Sequence, residues 1–460
     1  MKIAVLGGGG VRTPFLAKSL ALGAKSAGIT RLTLLDVIEA KLKRYGKIAR
    51  HIARVCAPDL DVVLTTDAEA ALSGADYIIT TIRCGGDESR AFDERACIAQ
   101  GVLGQETTGA GGFAMALRNI PVLSRYCETA KRLSAPDAVI FNFTNPSGLV
   151  TQAMRAQGFN TVYGICDAPS GFFRQLHCLF GCKGTFDGRV YGLNHLSWFD
   201  GFSLDGKDVT RELLHDPRLY TETDMYLFDP LLVRLGGERL PNEYLYYYYY
   251  TDKVKAAISG ATQTRGEIIA QVGRDMDAAM DRIDIDRDME AAFQCLMEFY
   301  NIRENNYFSV ESGRKRPICA ASVSLREFLD RPDKGGYSAV ALRYIQAAVS
   351  GTPVRMTLSL PNQGAIEGLT NEDVGEISCT VGERGPIPDK IGAIPEMQMN
   401  LILQVKLYEN LAVQAILERS REKAIKALMA HPLVASYPAA ISLTDVFLTR
   451  YADYTGEWES

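Results

Sequence analysis

The sequence lacks the features that would tie it to a polyanion, a membrane or an oxidising compartment. Its 460 residues carry a net charge of −5, and the lysines and arginines are scattered rather than clustered, so there is no basic footprint for nucleic acid or an anionic bilayer. No apolar run approaches the roughly 18 residues that a membrane helix needs. Met1-Lys2 passes straight into Ile3 to Leu6 and then into glycines, too short a stretch for a secretion signal. Ten cysteines are spread from Cys56 to Cys379 and read as free thiols in a reducing cytoplasm. Even the close pair Cys178 and Cys182 has only His177 beside it, so neither a disulfide nor a zinc site is expected there. No internal repeat is present.

What the chain has is apolar content, 47% of its residues, in a length that suits two or three domains. The first third alternates short apolar runs with amphipathic stretches, the pattern of a parallel α/β sheet. Strands are expected at 3–6, 32–35, 62–65, 77–82, 139–143 and 162–165. Thr13 and Pro14 suit the N-cap and first position of a helix between the first two. Beyond about residue 167 the pattern changes. It predicts a strand or hairpin over 189–202, helical spacing over 223–300, strands at 354–360 and 376–381, and one long helical region over 398–431.

Gly7, Gly8, Gly9 and Gly10 lie between the first expected strand and that helix. A dinucleotide needs backbone N–H groups close to its pyrophosphate, and glycines let the chain approach while the helix points its N-terminus at the charge. The full G-x-G-x-x-G spacing is not met, because Arg12 or Thr13 stands at the last glycine. Asp36 closes the second strand, where a carboxylate accepts from the adenosine ribose and repels a 2′-phosphate, which favours NAD over NADP. A tight turn with a capping aspartate is the plainer alternative. The expected organisation is a Rossmann-type NAD-binding domain at 1–167 and a substrate- and metal-binding α+β domain at 168–460. No flexible linker separates them, so they should pack with a cleft between.

Five further motifs resemble the family 4 glycoside hydrolases, which depend on NAD and a divalent metal. They are Gly104-Gln105-Glu106-Thr107-Thr108-Gly109 with Gly111-Gly112-Phe113, Asn142-Phe143-Thr144-Asn145-Pro146-Ser147-Gly148, Gly164-Ile165-Cys166-Asp167-Ala168-Pro169, Gly192-Leu193-Asn194-His195, and Pro241-Asn242-Glu243-Tyr244-Leu245. Weaker similarity runs through 361–366 to 431–433, so nearly the whole chain is covered. The resemblance implies a second domain of the lactate/malate dehydrogenase C-terminal type.

Cys166 ends an apolar strand at the expected carboxyl edge of the sheet, and His195 follows a second strand-like run. A thiolate and an imidazole can hold Mn²⁺ or another divalent metal with positions left open for substrate oxygens. Taken alone, each reads more often as a buried core residue. The resemblance makes Cys166 and His195 the metal ligands, Tyr244 the general base and Asp167 the acid for the leaving group. Asp167 reads equally as a carboxylate that orients the site, and Glu106 as one that holds a water on the metal. It further implies Asn145 as a cofactor and substrate contact, Asn194 as a substrate contact, Arg90 as a phosphate ligand, and Arg265 as a substrate contact and the charge that favours the Tyr244 phenolate. The run Tyr246 to Tyr250 is expected to pack in the core or at an interface.

The reaction so implied is redox-assisted elimination rather than the two-carboxylate scheme. It comprises oxidation at C3, proton abstraction at C2 and elimination at C1, with the cofactor regenerated in each turnover. The longest similarity is to 6-phospho-β-glucosidases. Cys166-Asp167-Ala168-Pro169 is nearer to the α-specific members, and Gly10 stands where the family has a phosphate-binding serine. A 6-phospho-α-glucosidase, a glycosidase for an unphosphorylated sugar and an NAD-dependent 2-hydroxy-acid dehydrogenase are therefore alternatives. A cytoplasmic homodimer or homotetramer is expected, with no nucleic-acid or membrane partner.

Overall fold

The computed structural model describes residues 1–317, 319–333 and 335–459. Six parallel strands form the core of the first half: β1 (Lys2–Leu6), β2 (Arg31–Leu35), β3 (Asp61–Thr65), β4 (Tyr77–Thr80), β5 (Val139–Asn142) and β6 (Val162–Gly164). They lie in the order β3-β2-β1-β4-β5-β6. This is the doubly wound order, with its reversal between β1 and β4, and ligands bind beyond the carboxyl ends of the strands at such a reversal. Ile3, Ala4, Val5 and Leu6 of β1 are all buried, as a central strand covered on both faces requires.

The second half contributes a hairpin, β7 (Phe186–Leu193) and β8 (Leu196–Leu204), flanked by the short β9 (Lys207–Asp208) and β10 (Leu240–Pro241). It also contributes β11 (Val354–Pro361), β12 (Val374–Gly382) and β13 (Gly385–Pro388), which extend the first sheet as an antiparallel edge. The join is the pairing of Ser359 in β11 with Gly164 in β6. Helices seal it: Gly23 of the helix Thr13–Ala27 sits against Leu342 of the helix Tyr337–Ser350, where a Cβ would meet the leucine at 2.4 Å.

Three local expectations differ from the structure. Arg12, not Thr13, is the N-cap of the first helix, because its backbone already lies in the helical region. The region 398–431 is two helices, Glu396–Glu418 and Arg421–Ala430, divided where Arg419 turns to φ +55°. Cys178 and Cys182 are bonded rather than free. Left-handed backbone at Gly181 and Cys182 folds the chain back past the end of the helix Ala168–Leu179 and brings their Cα atoms to 4.4 Å. The other eight cysteines are free. Among the described residues, no helix is long and apolar enough to cross a membrane.

Candidate active site

The turn after β1 is shaped by close approach. Gly7 has φ +97°, and a Cβ there would meet the Thr81 backbone at 2.8 Å. At Gly8 it would meet Leu34 at 2.7 Å, and at Gly9 the Asp36 carboxylate at 2.8 Å. Gly10 has ordinary space around it and no left-handed φ. The Gly7 and Gly8 amides donate to Leu35 O, the Gly9 amide to Asp36 Oδ2 and the Gly10 amide to Gly7 O. The Val11 and Arg12 amides at the helix start are left without a backbone partner among the described residues. These donors, aligned with a helix N-terminus, fit an anionic dinucleotide linker. Asp36 also accepts from the Ile38 amide through Oδ1.

Beside this turn, the end of β5 is held by a buried network. Asn142 Oδ1 accepts from the Thr80 hydroxyl at 2.8 Å, and its Nδ2 donates to the Thr151 hydroxyl at 3.1 Å. Such satisfied buried polar groups fix a loop where an unsatisfied one would cost about 1–3 kcal/mol. The loop they fix carries Asn145, whose carbonyl accepts from Asn119 Nδ2 at 2.8 Å and whose bond to Pro146 is cis.

One strand further along, Cys166 follows β6. His195 occupies the two-residue turn between β7 and β8, with φ +63°. The two side chains converge, with Cys166 Sγ 3.8 Å from His195 Nε2. Thr107 settles the tautomer of the imidazole. Its hydroxyl donates to Gln105 Oε1 at 2.9 Å, so its oxygen accepts from His195 Nδ1 at 3.1 Å. The Nε2 lone pair therefore faces the thiol. Burial lowers the His195 pKa to about 4, against the opposing pull of Glu106 and Asp167, so the ring is neutral at physiological pH.

The Tyr244 ring lies flat on that imidazole, with centroids 3.7 Å apart and planes within 4°. Burial, then Glu243, pushes the Tyr244 phenol well up; burial, then Glu376 and Asp167, does the same to the Cys166 thiol. Two adjacent groups that resist ionisation, beside a neutral imidazole with a free lone pair, fit a site completed by a divalent cation. Among the described residues no group of three or more His, Cys, Asp or Glu side chains is poised for a metal.

Charged side chains ring this centre. Asp167 pairs with Arg12 at 3.0 Å. Glu106 receives Arg83 at 2.6 Å and Arg90 at 2.8 Å; burial alone would raise its carboxyl, but the two arginines hold it well below the usual range. Arg90 also pairs with Glu94 at 2.8 Å, so both ends of its guanidinium rest on carboxylates. Glu376 accepts from Asn194 Nδ2 at 2.9 Å and from the Ser197 hydroxyl at 2.8 Å, bracketing the His195 turn, and burial pushes its carboxyl up to about 7.

The structure therefore gathers Cys166, His195, Tyr244, Asp167 and Asn194 at one sheet edge, with the glycine turn beside them. Arg265 differs from its expectation: its guanidinium donates to Asn306 O and Arg303 O and lies over the ring of Tyr307, whose hydroxyl reaches Tyr244. Tyr307, Arg83 and Glu376 carry no sequence signal. Thr107 lies inside a motif that drew attention only to its glycines and Glu106. The tyrosine run packs as expected, with Tyr246 and Tyr247 buried.

Comparison with known proteins adds an independent line. Residues 2–181 match the family model described as family 4 glycosyl hydrolase, and residues 190–434 match that of its C-terminal domain. The 6-phospho-beta-glucosidase BglT of Thermotoga maritima is 28% identical over 457 residues, 99% of each chain. The 6-phospho-alpha-glucosidase 1 of Lacticaseibacillus paracasei is 26% identical over 99% of this chain and 98% of its own. The structure of the T. maritima 6-phospho-beta glucosidase with manganese, NAD⁺ and glucose-6-phosphate superposes with a TM-score of 0.81 at 27% identity, over 99% of both chains.

Proposed function

The chain belongs to family 4 of the glycosyl hydrolases, and on that premise we propose that it cleaves 6-phospho-β-glucosides with NAD⁺ and Mn²⁺ or a similar divalent metal. The observation that carries this reading is the Tyr244 ring stacked on His195, whose Nε2 faces Cys166. It supports the reading because it sets a phenol beside a thiol and an imidazole, whereas a 2-hydroxy-acid dehydrogenase needs a histidine base and a carboxylate-binding arginine but no cysteine and no metal. Support for the β linkage is the full-length likeness to the T. maritima enzyme, slightly above that to the α-specific relative.

In this reading Gly7 to Gly10, Asp36 and Asn145 hold the dinucleotide, and Cys166 and His195 hold the metal. When bound, the dinucleotide accepts and returns a hydride at C3 and the metal polarises the sugar oxygens, which makes the C2 proton acidic. Tyr244 removes that proton, and Asn194 and Asn145 orient the sugar. Asp167 would serve the leaving oxygen as its acid, for which it must first part from Arg12 and take up a proton. Arg90, whose Nε and Nη1 rest on Glu94 and Glu106, would meet the sugar phosphate through its remaining guanidinium nitrogen. The first domain, 1–167, carries the dinucleotide and brings Arg90, Asn145, Cys166 and Asp167 to the boundary, where the second, 168–460, supplies His195, Asn194 and Tyr244 to the substrate and metal. The enzyme acts in the cytoplasm as a homodimer or homotetramer, for which the exposed Leu403, Leu407, Leu417 and Met429 on consecutive helices offer an apolar face.

A panel of α- and β-linked glycosides, with and without a 6-phosphate, assayed with NAD⁺, Mn²⁺ and a thiol reductant, tests this. The expected result is preferential cleavage of the phosphorylated β-glucoside without net NADH. Preference for the α-linked or unphosphorylated compound replaces the substrate assignment. Stoichiometric NADH from a hydroxy acid, with no glycoside cleaved, overturns the reading.

A further inference from the structure

We propose that Tyr307 is a positioning residue for the proton-abstraction step and that it fixes the Tyr244 oxygen through a phenol–phenol hydrogen bond. This rests on Tyr244 as the base. The Tyr307 hydroxyl donates to the Tyr244 hydroxyl at 2.5 Å. The ring of Tyr244 is already clamped, flat against His195 and edge-on to Phe308 at 5.8 Å and 75°. Clamping a ring leaves its hydroxyl free to rotate, so only a hydrogen-bond partner decides where the lone pairs point. Among the described residues Tyr307 is that partner for Tyr244.

Tyr307 is itself held. The guanidinium carbons of Arg265 and Arg316 stand 5.6 and 5.4 Å from its ring centroid. Arg265 is anchored by donating to the carbonyls of Asn306, at 2.7 Å, and Arg303, at 2.8 Å, around the end of the helix Met289–Asn305, where a cation also meets the helix dipole. Arg316 is anchored on Asp224 at 3.3 Å. Phe308, at φ +59°, turns the chain so that consecutive residues reach the same base, one by its hydroxyl and the other by its ring. Two cations facing the Tyr307 ring draw electron density from it and strengthen its O–H as a donor. Arg265 thus acts on the base through a second phenol.

Tyr307→Phe keeps the ring and both cation contacts and removes one hydroxyl. With NAD⁺, Mn²⁺ and the phosphoglycoside that the wild type turns over, kcat should fall about ten- to a hundredfold, as for a hydrogen bond to a charged oxygen. Deuterium exchange at C2 should fall in step, with KM and NAD⁺ affinity unchanged within about threefold. A merely structural role would instead move KM, NAD⁺ affinity and the thermal midpoint together, and that result overturns the proposal, as does unchanged exchange. If Tyr307→Phe is thermally destabilised, Arg316→Gln tests the same arrangement without touching the hydroxyl: lower kcat at constant KM supports it, and constant kcat overturns it. A wild type that cleaves the glycoside with no exchange at C2 overturns the Tyr244 reading itself, whereas normal exchange in both variants overturns Tyr307 alone.

Discussion

The glycine turn and the thiol–imidazole–phenol centre share one sheet edge but are made in different ways. The turn is four consecutive residues, the first three of which are crowded by Thr81, Leu34 and Asp36. The centre draws Thr107, Cys166, His195, Tyr244 and Tyr307 from five separate segments, and each is oriented by another of them or by a neighbour. A local device should fail at the residue changed and leave the rest intact. A device assembled at long range should lose chemistry while its parts still fold and bind.

The sharpest test of the contrast is Tyr244→Phe. It should reduce turnover by about a thousandfold or more and abolish deuterium incorporation at C2 in D₂O, within the usual range for losing a general base, while NAD⁺ titration shows unaltered binding. Substantial residual exchange would sink the assignment of Tyr244. The converse change is Gly7→Ala, which forces a side chain into a left-handed position against Thr81. NAD⁺ should bind about a hundredfold more weakly, whereas Gly10→Ala, where there is room, should change affinity by less than about threefold. Equal effects at the two glycines would break the claim that crowding shapes this turn.

The mildest expected effect lies outside both devices. His431 is buried, with the amides of Gly109 and Leu433 each beside one of its ring nitrogens, only one of which accepts in the neutral ring, and burial lowers its pKa to about 3. The unfolded imidazole takes up a proton below about pH 6.5 while the native one stays neutral, so this contribution is complete above that pH. It is lost as pH falls toward 3, at up to about 1.4 kcal/mol per unit. Urea unfolding between pH 7 and 4 should show a shallower loss in His431→Gln than in the wild type; parallel slopes would refute it.

The same contrast explains what was readable beforehand. The central parallel strands appear as apolar runs because a strand buried on both faces needs nothing else, and the glycine turn is legible because only glycine fits its first three positions. Pairings between distant segments leave no such trace. Arg12 reads as a departure from a glycine pattern, and its bridge to Asp167 emerges only when the turn meets the end of β6. Tyr307 sits in Asn305-Asn306-Tyr307-Phe308, a stretch with no motif, and owes its place to the helix end that Arg265 caps. The disulfide escaped notice because four-residue spacing says nothing of the left-handed backbone that closes it.

The join between β6 and β11 has a mechanical consequence. Because strands from the second half complete the sheet of the first, the halves are stitched by a main-chain pairing at Gly164, two residues before the thiol. A hinge that swung them apart would tear the sheet at Cys166, so access for a glycoside falls to the surrounding loops. The same stitching predicts that the chain melts as a unit and that a protease cut between the halves releases neither as a free-standing body.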